Sequence, residues 1–183
     1  YSQFFISAVR FRLEKINNKY TYNVNYEWVE DKAKQLQNEY PEKSQQRCVA
    51  TTIASIRATK LPDRKTIGTA WSFFQNPVID PNNFETLKTQ FPDLKWRTTP
   101  QWIKLSAWQL IELAWLKWYT KNNVGVYDKH ALVLVNHGNP YWSALLQIIN
   151  EIITKTKNIF DVILVPEVRC FPSWNHTPHQ IEQ

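Results

Sequence analysis

The stretch Thr99 to Lys121, TPQWIKLSAWQLIELAWLKWYTK, decides how the rest of the chain is read. Trp102, Leu105, Trp108, Ile111, Trp115 and Trp118 recur at intervals of three or four, the spacing of one face of an α-helix. Ala107, Leu110, Leu113, Ala114 and Leu116 fill most of the remaining circumference. Thr99 suits an N-cap and Pro100 the first helical position, while Asn122, Asn123 and Gly125 supply stop signals. The pattern predicts one long helix, apolar on nearly every side, which must either lie at the centre of a core or cross a membrane. Its apolar part is about 15 residues, against the ~20 of a span, and Gln109, Glu112 and Lys117 interrupt it. A central core helix is therefore expected, with Glu112, Gln109 and Lys117 on its one exposed edge.

Working outward, Trp28, Val29, Ala33, Leu36 and Tyr40 predict a helix over 26–40, and Val49, Ile53 and Ile56 predict a second over 42–60. Before them, Val9, Phe11 and Leu13, then Tyr20, Tyr22 and Val24, alternate with polar residues around Asn17-Asn18. This predicts a β-hairpin over 4–25. Short helices are expected over 67–74 and 84–90. On the far side, 130–136 and 160–165 are short apolar runs flanking a helical pattern over 142–157, which reads as a βαβ unit. The fold class is thus α+β and predominantly helical. It combines an N-terminal β-hairpin and a C-terminal βαβ element around the Trp-rich helix. A single domain is expected over 1–171, with a polar tail over 172–183.

Composition narrows the function. The chain has 183 residues, 43% hydrophobic and 21% charged, the balance of a globular protein. Nine Trp, eight Tyr and nine Phe stand beside only three Gly. So few glycines argue against phosphate-cradling loops and dinucleotide fingerprints, and no cofactor is expected. The two cysteines, Cys48 and Cys170, fit no zinc spacing, and whether they pair is open. No signal segment or membrane span is evident, so a cytoplasmic location is expected.

The net charge of +6 is uneven: residues 1–65 hold 12 Lys and Arg against 7 Asp and Glu, and 66–183 hold 10 against 9. A basic first third suggests a polyanionic partner. Arg10, Arg12, Lys15 and Lys19 on the hairpin, and Arg47, Arg57, Lys60, Arg64 and Lys65 around the second helix, would contact phosphates. Tyr20 and Tyr22 would offer bases a stacking surface. These features favour a non-enzymatic nucleic-acid-binding or nucleoprotein-assembly subunit. The alternatives are a protein-interaction subunit using exposed aromatics and a metal-dependent nuclease. For the nuclease, Asp80, Asp93 and Lys95 match a loose two-carboxylate and lysine pattern. His137, with Asn136 and Asn139, would line a crevice at the end of the first C-terminal strand. Cys170, His176 and His179 form no recognisable metal motif, and no metal is expected.

Overall fold

A computed structural model describes residues 7–12, 27–138 and 141–168. The expected hairpin over 4–25 falls largely outside these residues, as do Lys15, Lys19, Tyr20, Tyr22, Asn139, Cys170, His176, His179 and the polar tail. Residues 7–12, which are described, form no strand.

The chain divides into two compact units, 1–53 and 54–183. The first contains α1 (Glu27–Glu39) and the start of α2 (Gln45–Lys60). Both helices lie where the periodicity places them. On α1, Val29 and Ala33 are buried, while Trp28 and Tyr40 are exposed. On α2 the buried residues are Cys48 and Thr52, and Ile53 is exposed, so the inner face is turned by one residue from the expected one. Cys48 is a buried free thiol.

The second unit is α+β. A four-stranded antiparallel sheet has the order β1 (Gly68–Ser72), β7 (Val133–Asn136), β6 (Val124–Val126), β5 (Thr120–Lys121). A three-stranded antiparallel sheet has the order β2 (Val78–Ile79), β4 (Ile103–Leu105), β3 (Trp96–Thr98). Helices α3 (Pro81–Gln90), α4 (Ala107–Leu113) and α5 (Trp142–Phe160) complete it. Their common core includes Phe73, Phe74, Leu110, Ile111, Ile149 and Leu164.

The long Trp-rich helix does not form. Pro100 disfavours the helical region for Thr99, and the Thr99 hydroxyl donates to the Trp102 carbonyl at 2.8 Å, closing a tight turn. The turn makes 96–105 a hairpin. Ile103 and Leu105 point inward and Lys104 outward, a period of two hidden inside the spacing of three. Only Ala107–Leu113 is helical. Asn122 and Asn123, both at positive φ, form the two-residue turn between β5 and β6 rather than a helix stop.

Two other assignments change. Residues 68–72 are a strand instead of part of a short helix. The stretch after α5 is not a second buried strand of a βαβ unit. It runs extended, with Val162 and Leu164 buried and Ile163 and Val165 exposed, and makes one antiparallel bridge, Pro166 to Phe74. Every described strand pair is antiparallel. Helix α5 itself is correctly placed, and β7 lies within the expected run and is buried on both faces.

Gln109 joins α4 to the turn between α3 and β3. Its amide donates to the Asp93 carbonyl at 2.8 Å and its carbonyl accepts the Lys95 N–H. Instead of lying on an exposed edge it is buried, and Glu112 pairs with Lys117 at 2.7 Å. Gln109→Leu keeps most of the volume but leaves two backbone groups without their partner. Urea unfolding should show a loss of about 1–2 kcal/mol; unchanged stability would mean that water replaces both bonds.

Candidate functional site

The site is built on β1. Its register with β7 slips: Thr69 faces Val135, but Ser72 faces Val133, so three steps on β1 oppose two on β7. One extra residue is therefore accommodated, which is a β-bulge. Bulges re-aim side chains and gather next to active sites. Thr69 holds this one, its hydroxyl accepting the Trp71 N–H at 3.0 Å and donating to the Leu134 carbonyl at 2.9 Å.

Beyond the bulge the chain is fastened on both sides. The Phe73 N–H donates to Leu132, and the Phe73 carbonyl accepts the Glu167 N–H, each at 2.8 Å. The Gln75 N–H donates to Val165 at 2.9 Å. Phe73 and Phe74 are buried, with ring centroids 5.2 Å apart, while Ser72 and Gln75 stay exposed. The result brings Ser72 and Glu167, 95 positions apart in sequence, onto backbone segments joined by a hydrogen bond. Both residues are exposed. Asn76, just downstream, accepts the Ala107 N–H at 2.9 Å and so anchors this segment to the start of α4.

A cleft of about 210 Å³ opens beside the bulge, lined by Thr69, Ala70, Phe73, Val124, Asn136 and Leu145 among others. It falls below the ~300–1,000 Å³ of pockets that enclose whole small molecules, so it can hold only part of a ligand. Gly68 borders it, where an added Cβ would lie 3.2 Å from the Asn136 Cβ. The region offers an exposed hydroxyl and a carboxylate on hydrogen-bonded backbone segments, with a small apolar recess nearby whose lining includes neither side chain.

The residues singled out from sequence lie elsewhere or serve other ends. Asp80 is the N-cap of α3, accepting the Asn82 N–H at 2.8 Å. Lys95 places its ammonium 5.3 Å from the Trp108 ring centroid. Among the described residues no group of three His, Cys, Asp or Glu is arranged to hold a metal ion. Arg10, Arg12, Arg47, Lys60 and Lys65 are exposed. Arg57 and Arg64 stack on the Trp71 ring, at 5.8 and 5.7 Å. His137 is exposed after β7, its N–H donating to Asn123 at 2.8 Å. The antiparallel sheet removes the parallel-strand crevice in which it was expected to act.

His130 is only half-buried, and its Nδ1 accepts the Leu132 N–H at 3.3 Å. Burial pushes its pKa below the usual histidine value, and nearby Lys60 adds to this. A histidine kept neutral by folding binds fewer protons than in the unfolded chain. Its contribution to stability is complete above the unfolded value of about 6.5 and is lost as pH falls below it. His130→Asn should flatten the fall in thermal stability between about pH 7 and about pH 5. An unchanged slope would assign the fall to other groups.

Ser72 and Glu167 were not found from the sequence. The apolar cluster around Ser72 resembled a helix, and nothing local to Glu167 marks it. The alternation within 162–165, with Pro166 after it, is the one signal that could have placed Glu167 beside a strand.

Comparison with known proteins bears on this region. The family described as UDP-N-acetylenolpyruvoylglucosamine reductase, C-terminal domain, matches residues 62–171. A UDP-N-acetylenolpyruvoylglucosamine reductase from Xylella fastidiosa is 34% identical over 170 residues, covering 92% of this chain and 47% of the relative. One from Flavobacterium johnsoniae is 32% identical over 167 residues, covering 91% and 48%. One from Porphyromonas gingivalis is 39% identical over 122 residues, covering 66% and 36%. The chain thus spans between about a third and a half of the length of these curated relatives. All three are reductases. They overturn the expectation of a non-enzymatic nucleic-acid-binding or nucleoprotein-assembly subunit, and that of a nuclease. The basic first third misled because net charge reports on surface chemistry and does not identify a partner.

Proposed function

Because the chain belongs to the family of UDP-N-acetylenolpyruvoylglucosamine reductase C-terminal domains, we propose that it works as part of a longer reductase. In that role it seats the enolpyruvoyl group of UDP-N-acetylenolpyruvoylglucosamine while the double bond is reduced. The observation that carries this reading is the β1 bulge, which brings Ser72 beside the Glu167 segment inside the matched residues.

Reducing a carbon–carbon double bond adds hydride to one carbon and a proton to the other. The hydride is the contribution of a redox group. The proton needs an acid within hydrogen-bond reach of the substrate. In this proposal Ser72 presents its hydroxyl to the carbon that takes the proton. Glu167, on the adjacent segment, holds the substrate's orientation and supports proton supply. The apolar recess beside the bulge receives the uncharged part of the substrate and excludes water from it. Thr69 and Asn76 act as positioning residues, the first holding the bulge and the second fixing its exit to α4.

No helix among the described residues is long and apolar enough to cross a membrane. A substrate carried on a nucleotide diphosphate fits a cytoplasmic reaction, and that location is part of the proposal. The test is turnover: the full-length protein, given a hydride donor, should consume UDP-N-acetylenolpyruvoylglucosamine with saturation kinetics. Folded protein that binds this compound without reducing it, or fails to bind it, would reject the reading.

A further inference from the structure

The imbalance of nine Trp and three Gly has a structural counterpart. Six described residues other than glycine adopt positive φ: Asn122, Asn123, Asp161, Trp71, Trp115 and Trp118. Asn and Asp tolerate this region, but for a bulky side chain it is a genuine outlier. The tryptophans sit at 63°, 58° and 64°, while no described glycine has positive φ. The left-handed backbone positions that ordinarily take glycine are held by tryptophan, and the described glycines lie elsewhere.

Each of the three positions belongs to a different backbone motif, and each motif calls for glycine at that place. Trp71 lies in the β1 bulge, between Thr69 and Ser72 where the register slips, and a left-handed bulge residue is ordinarily glycine. Trp115 follows the Ala114 C-cap of α4. Its N–H donates to Glu112 at 3.0 Å and the Leu116 N–H to Ile111 at 3.1 Å. That pair of bonds is the Schellman ending, whose left-handed residue is usually glycine. Trp118 is the third residue of the turn closed by the Tyr119 N–H on the Leu116 carbonyl at 3.0 Å. Positive φ at the third residue is the type II pattern, which requires glycine or asparagine.

The side chains do not explain the choice. Trp115 is 89% exposed and Trp118 is 66% exposed, so neither indole contributes to the core. Trp71 is half-buried, and its ring lies against Arg57 and Arg64 at the edge of the candidate site. A tryptophan on solvent at a left-handed position combines backbone strain with almost no burial.

We propose that the natural polypeptide carries glycine at positions 71, 115 and 118, the codons there being decoded as glycine instead of tryptophan. Trp28, Trp96, Trp102, Trp108 and Trp142 have no positive φ and lie outside the proposal. Glycine at 71 would remove an indole from the residue next to Ser72 and widen the approach to the bulge. The inference stands on backbone geometry and composition and does not depend on the reductase reading.

The test is the mass of peptides from the protein isolated from its natural source. Those containing positions 71, 115 and 118 should be lighter by the difference between a tryptophan and a glycine residue at each position. Tryptophan masses at these positions would overturn the proposal. A second arm tests the physical premise in recombinant full-length protein. Trp71→Gly, Trp115→Gly and Trp118→Gly should each raise the folding equilibrium constant about tenfold. Lowered stability in all three would equally overturn it.

Discussion

Replacing Ser72 with alanine should lower kcat of the full-length protein in the proposed reaction by about 10²–10⁴-fold, the range for removing a positioned proton donor, with KM changed much less. The side chain is exposed at the end of β1, and its backbone is fixed by the Thr69 bulge on one side and by the Phe73 bonds on the other. Removing one oxygen from an exposed serine leaves the core intact, so unfolding should be within about 0.5 kcal/mol of the parent. The split between kcat and KM carries the argument. A group that only binds substrate would raise KM, whereas a proton donor acts in the transition state and lowers kcat. Ser72→Cys, which keeps a weak donor, should recover part of the loss. A Ser72→Ala protein with a kcat within a few-fold of the parent would remove Ser72 from the chemistry.

Phe73→Ala should have the largest effect on stability, about 3–5 kcal/mol. The ring is 1% exposed and packs edge-on against Phe74, in the core shared with α4 and α5. Its backbone also accepts the Glu167 N–H and donates to Leu132. Collapse around the cavity should therefore loosen the Glu167 segment as well as the core. Urea unfolding measures the first effect, and activity in the still-folded protein below the transition measures the second. A loss below about 1 kcal/mol would mean that the site can refill, and the anchoring role assigned to Phe73 would be wrong.

The sequence made the helices of the fold easier to read than its strands. Helices α1, α2, α3 and α5 follow from apolar spacing, and the structure places all four, with α3 starting at Pro81 ahead of the expected 84. The β7 run was legible because a continuous apolar stretch has few other uses. The Trp-rich stretch failed for a definite reason. Residues spaced by three also fit a hairpin followed by a short helix when a turn falls between them, and the Thr99 hydroxyl that closes the turn looked like a helix cap. Tryptophan at 115 and 118 hid the two left-handed residues that end α4 and form the next turn, because those places ordinarily announce themselves as glycine. The same substitution at 71 hid the bulge, and with it Ser72. Glu167 was illegible on other grounds, since its place follows from an antiparallel bridge between Phe74 and Pro166, 92 positions apart in sequence.

The functional error had a related cause. Lysines and arginines concentrated in residues 1–65 were read as a phosphate-binding surface. The structure instead places Arg57 and Arg64 against Trp71 beside the bulge.

The central claim is that the β1 bulge and the 165–167 segment together receive the substrate. Amide hydrogen exchange on the full-length protein, with and without saturating UDP-N-acetylenolpyruvoylglucosamine, tests it most directly. Exchange should slow at residues 68–75 and 165–168 when the compound is added. Protection confined to other parts of the chain, with these two segments unchanged, would contradict the account.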